Sequence, residues 1–94
     1  MLKNEQAPPA SIQELKFKIA KRQITFPTTL ERLARQMIER PEIVAFESAA
    51  AVARHFKVSQ TTVHRLAHQM GFRTFRDFRA MIRENLRLVS SKID

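Results

Sequence analysis

The chain has 94 residues with a formal net charge of +8; 44% of them are apolar, with one Gly, four Pro, no Cys and seven aromatics that are all Phe. Such a length holds one domain with a modest core, and the composition points to an all-α domain rather than a β-sandwich or a disordered tail. Without Cys there are no disulfides, thiolates or Cys-based zinc sites, no run approaches the roughly 18 apolar residues of a membrane span, and the first ten residues hold no signal-peptide core, so a soluble cytoplasmic protein is expected.

Residues 1–10 are polar and carry Pro8-Pro9, which reads as a flexible arm ahead of a domain over 11–88. Ser11 is a reasonable N-cap, and Ile12, Leu15, Ile19 and Ala20 recur at helical spacing to about Arg22, with Phe26-Pro27 ending that segment. Thr28 and Glu31 form a capping-box pattern ahead of Leu30, Leu33, Ala34, Met37 and Ile38, and Pro41 closes this second helix. Pro41-Glu42 then opens a short third helix through Ile43, Val44 and Phe46, with proline at its first position and an acid near its positive end.

Ser48 caps "AAAVARHF" and Ser59 caps "QTTVHRLAHQM", with only Lys57 and Val58 between the first of these helices and the second cap. Two helices joined so tightly cross steeply and need a small residue at the crossing, a role that falls to Ala53. Val52, Phe56, Val58, Val63 and Leu66 supply the shared apolar seam, at the spacing of a DNA-binding helix-turn-helix. The turn calls for a left-handed residue at Lys57, where a Cβ costs about 1 kcal/mol and Gly is usual.

At about 100° per residue, Val63, Leu66, Ala67 and Met70 of the second helix share one arc. Gln60, Thr61, His64, Arg65, His68 and Gln69 fan over the opposite one without a single carboxylate. A helix that only has to stay soluble usually mixes acids with bases, because pairs of opposite sign three or four residues apart add a few tenths of a kcal/mol. Gln, Thr, His and Arg can hydrogen-bond base edges in a major groove, where a carboxylate would repel the flanking phosphates. Ser59 at the cap and Lys57 in the turn join this candidate DNA-binding set, together with Arg54 and Arg73, which flank the motif as candidate backbone contacts.

Gly71 is a left-handed stop, with Phe72 folding back on the helix it ends. Thr74 and Asp77 start a last helix whose Phe75, Phe78, Ile82, Leu86 and Val89 form an apolar stripe beside an arc of Arg76, Arg79, Arg83 and Arg87. Between Arg54 and Arg87 eight Lys or Arg residues stand against two acids, a net +6, so a phosphate-facing role is assigned to some of these arginines. The expected fold is a compact bundle of about five or six helices containing a homeodomain-like helix-turn-helix.

The segment "FPTTLERLARQMIERPEIVAFESAAAVARHFKVSQTTVHRLAHQMGFRTFRDFRAMIRENL" resembles the N-terminal helix-turn-helix domain of RpiR-type bacterial transcriptional regulators. Its landmarks are "ERPEIVAFES", "VSQTTVHRLAHQMGF" and the "F..FRDFR" helix, over roughly Ile12 to Leu88; Lys57 departs from the family's usual glycine. The resemblance implies a dimeric, sequence-specific binder of double-stranded DNA that controls genes of sugar or phosphosugar metabolism. It also implies a sugar-isomerase-like domain sensing a phosphosugar effector, absent from these 94 residues, with 89–94 a tail or the start of a linker to it.

One recognition helix covers few base pairs, so a homodimer on a palindromic operator is expected. Ile12, Leu15 and Ile19 of the first helix, with Leu88 and Val89 of the last, are read as apolar surface left over for it. Other chemistries fit less well. His64 and His68 are spaced to share a metal, but no third ligand is evident and Arg65 stands where a zinc protease carries its Glu. A single Gly allows no Gly-rich phosphate loop or nucleophile elbow, so neither an enzyme nor a cofactor is expected. Membrane-surface binding by the last helix would use the apolar face its core needs. A helical protein-protein interaction module is the alternative from another class.

Overall fold

The computed structural model describes residues 8–93, with side chains as far as Val89. Among them are six helices and no strand: α1 (Ile12–Ala20), α2 (Thr28–Glu39), α3 (Pro41–Phe46), α4 (Ala49–Phe56), α5 (Gln60–Gln69) and α6 (Phe75–Ile93). None of these helices is long and apolar enough to cross a membrane. Residues 1–7 of the expected arm lie outside the described residues; Pro9 is buried, and Ala10 donates its N–H to Glu14 Oε1 at 3.0 Å.

Four helix starts follow the sequence closely. The side chains of Ser11, Ser48 and Ser59 accept the N–H three residues on, from Glu14, Ala51 and Thr62, and Thr74 Oγ1 does the same for Asp77 at 3.1 Å. The capping box at Thr28 does not form. Pro27 holds the cap position at φ −56°, ψ 152°, so Thr28 is already the first helical residue, and Glu31 reaches forward to Arg35 at 2.9 Å instead. Pro27 also has no N–H for Glu31 to accept, which removes the reciprocal half of the box.

Three helix ends turn through a left-handed residue, and only one of them is glycine: Arg22 (φ 62°), Lys57 (φ 61°) and Gly71 (φ 101°). Each is fixed by the paired bonds of a Schellman motif. After α4, Lys57 N–H donates to Arg54 and Val58 N–H to Ala53; after α5, Gly71 N–H donates to His68 and Phe72 N–H to Ala67. The first helix stops at Ala20, two residues short of the expected end, because Arg22 takes this conformation and Gln23 N–H folds back to the Lys18 carbonyl.

All six helices feed one core. Leu15, Met37, Val44, Val52, Leu66, Phe78 and Ile82 are fully enclosed, each contributing about 1.5–3 kcal/mol by leaving water. The long α6 closes the bundle against α3, α5 and α1, while α4 packs on α5 with Val52 and Ala53 buried in the core. The α1 stripe is not spare surface for a dimer. Leu15 has no exposure, Ile12 and Ile19 pack on the core, and Ile12 N–H donates to Asn85 Oδ1 of α6 at 2.8 Å. Large apolar side chains that do face solvent are Phe17, Phe46, Leu88 and Val89, so the α6 stripe leaves the core at Val89 while the helix continues to Ile93.

Candidate nucleic-acid interface

The outer arc of α5 is built as the periodicity requires. Val63, Leu66, Ala67 and the following Met70 are buried against the core, and Gln60, Thr61, His64, Arg65, His68 and Gln69 are all exposed. Ser59 spends its hydroxyl on the helix start, accepting from Thr62 N–H at 3.0 Å and sharing a 2.9 Å bond with Thr62 Oγ1. That cap leaves Gln60 and Thr61 as the exposed side chains of the first turn.

The other members of the arc are not equally free. His64 rests edge-on against the Phe75 ring, with centroids 6.2 Å apart, which steers the imidazole toward the start of α6. His68 donates Nε2–H to the Arg73 carbonyl at 2.7 Å, joining the last turn of α5 to the loop that follows it. Gln69 donates Nε2–H to the Thr25 carbonyl at 3.0 Å, tying the end of α5 to the α1–α2 loop. A role for Gln69 in holding that loop has no signal in the sequence, because its partner lies 44 residues away.

The flanking bases separate. Arg73 is exposed, and its carbonyl is held by His68 of the α5 arc. Arg54 is exposed in the last turn of α4, and Lys57 lines a hollow with Gln36, Glu39, Arg40, His55 and Phe56, at the end of α2.

The arginine arc of α6 proves to be of two kinds. Arg79 donates Nε–H to the Val44 carbonyl at 3.2 Å and Nη2–H to the Glu47 carbonyl, and Arg83 donates Nε–H to the Ala45 carbonyl at 2.7 Å. These carbonyls belong to the end of α3, where a helix leaves its last acceptors without partners and presents its negative pole. Burial, and then the neighbouring charges of Arg83 and Arg76, hold the Arg79 guanidinium below its ordinary range, yet it stays charged at neutral pH. Arg79 also lies 5.0 Å over the Phe75 ring. Arg87 is paired with Glu84 at 2.7 Å. The arc is thereby divided: Arg79 and Arg83 bond the end of α3, and Arg76 is the arginine of the four with an exposed side chain and neither bond nor ion pair recorded among the described residues.

Two helices joined through a left-handed Lys57, the second capped by Ser59 and exposing an acid-free polar arc, define a helix-turn-helix domain. Residues 13–88 match the model of the helix-turn-helix domain, rpiR family. The chain belongs to that family, a family of DNA-binding regulator domains. No curated protein and no solved structure matches it.

Proposed function

We propose that the domain binds double-stranded DNA sequence-specifically as the reading head of a bacterial transcriptional regulator of sugar or phosphosugar metabolism, acting as a homodimer on a palindromic operator. The observation that carries the reading is the exposed arc of Gln60, Thr61, His64, Arg65 and His68, free of carboxylates and set directly behind the tight turn at Lys57. In this reading Gln60, Thr61, His64 and Arg65 reach base edges, while Arg54, Lys57 and Arg73 meet phosphates. Ser59 and Gln69 act indirectly, the first by starting the helix and the second by anchoring its end. The assignment to sugar metabolism comes from family membership alone, and a phosphosugar would act through a separate sensor domain.

Pairing follows from information content, since a single helix reads too few base pairs to stand out among genomic competitors. With the α1 stripe occupied, the exposed Leu88 and Val89 of α6, which neighbour each other, are assigned to self-association, apart from the separately exposed Phe17 and Phe46. Two copies related by a twofold axis would set their α5 helices about 34–36 Å apart.

Selection of bound duplexes from a randomised pool tests the reading. It predicts enrichment of a palindromic or near-palindromic site, bound by two protomers with an affinity that falls steeply with salt. A saturated complex of one protomer, each half-site filling independently, contradicts the dimer. Binding that responds weakly to salt points instead to the protein-protein module.

A further inference from the structure

Beside the α5 arc lies a groove of about 390 Å³, lined by Ser48 and Ala49 of the α4 start, His64 of α5, and Thr74, Phe75, Arg76 and Arg79 of the α6 start. The geometry points to this groove as the seat of one DNA backbone phosphate, held by Arg76 and fixed relative to the bases by His64 on its floor. The inference rests on the DNA-binding reading and adds a contact that the motif alone does not contain.

Three observations converge on it. The lining includes no Asp or Glu, and its Arg76 is exposed, with no partner recorded among the described residues. Arg79 is bonded to Val44 and Glu47, so it contributes a fixed positive charge to the groove lining while Arg76 is left to meet a ligand. Phe75 is the ring on which both His64 and Arg79 rest, at 6.2 and 5.0 Å. One aromatic ring thus couples the position of a helix that reads bases to the position of a cationic cluster.

The polar rim suits the same ligand. Ser48 accepts the Ala51 N–H, and the N–H groups of Ala49 and Ala50, the first of the helix, have no intrahelical acceptor. Thr74 closes the opposite side from the start of α6. A phosphodiester oxygen entering here meets a guanidinium, hydroxyls and backbone N–H groups, a donor set without repulsion. The ligand is a strand phosphate rather than a free one because the groove opens beside His64, on the arc that faces the duplex.

The test is the salt dependence of binding to a random-sequence duplex, measured for the wild-type chain, Arg76→Ala, Arg76→Lys, Ala49→Glu and the control Arg87→Ala, with thermal unfolding of each. Arg76→Ala is expected to lower the log-log salt slope by about one, so that its deficit relative to wild type shrinks about three- to fourfold between roughly 50 and 200 mM salt. Arg76→Lys and Arg87→Ala should keep the wild-type slope. Ala49→Glu should weaken binding while leaving the unfolding temperature unchanged or raised, because an acid suits a helix start but not a phosphate seat. If the wild type shows the salt-dependent affinity and neither Arg76→Ala nor Ala49→Glu alters it, the groove is not a phosphate site and the DNA-binding reading stands. A wild-type chain with no salt-dependent duplex affinity overturns that reading and this site together.

Discussion

The outer face of α5 and the arginine face of α6 look alike in sequence: both are polar and nearly free of acids. In the folded chain they diverge. The α5 arc keeps Gln60, Thr61 and Arg65 exposed, with its internal bonds confined to the end of the helix at His68 and Gln69. The α6 arc turns two guanidiniums back onto the carbonyls that end α3 and pairs a third with Glu84. A short helix explains the difference. The six residues of α3 form few internal bonds and leave several acceptors at one end, and the long reach of arginine from the neighbouring α6 satisfies them. A cationic surface is therefore not by itself a nucleic-acid surface; what its donors already hold decides.

The largest effect is expected on removing a guanidinium that serves the fold. Arg79→Ala strips the donors from the Val44 and Glu47 carbonyls and is expected to lower stability in urea unfolding by about 1.5–3 kcal/mol, the range for bonds from a charged donor. A loss under about 0.5 kcal/mol would mean that water replaces the guanidinium without penalty. On the α5 side the effect should move from stability to recognition. Gln60→Ala or Thr61→Ala is expected to cost about 1–3 kcal/mol of binding to a selected operator while shifting unfolding by no more than about 0.5 kcal/mol.

The turn between α4 and α5 sharpens the contrast in the opposite direction. Lys57 carries its Cβ at φ 61°, so Lys57→Gly should stabilise the fold by about 0.5–1 kcal/mol, read as a higher urea midpoint. No gain would show that the turn is relaxed with lysine in place. The smallest effect belongs to Arg87→Ala, which removes an exposed pair with Glu84 and should change stability by less than about 0.5 kcal/mol.

Most of the fold is legible because its signals are local. Serine at 11, 48 and 59, Pro41 and Gly71 each act within a turn of where they stand, and the six helices fall where these residues put them. The exceptions are local competitions that periodicity cannot decide: Pro27 against Thr28 for one cap, and Arg22 against two more residues of α1. The candidate site is legible in part. The exposed arc of α5 follows from 3.6-residue periodicity, but the fates of Gln69, Arg79 and Arg83 depend on partners 32 to 44 residues away. Separation along the chain also hides the groove at Arg76, whose walls come from three helices, and the burial of the α1 stripe, which reads as spare until α6 is folded against it.

The central claim is that α5 reads sequence through its outer face. Its most direct measurement is the affinity of Gln60→Ala for a selected operator and for a scrambled duplex of equal length at one salt concentration. A loss of roughly five- to 150-fold on the operator is expected, corresponding to about 1–3 kcal/mol, with affinity for the scrambled duplex unchanged. Equal losses on both duplexes, or no loss on either, would contradict it.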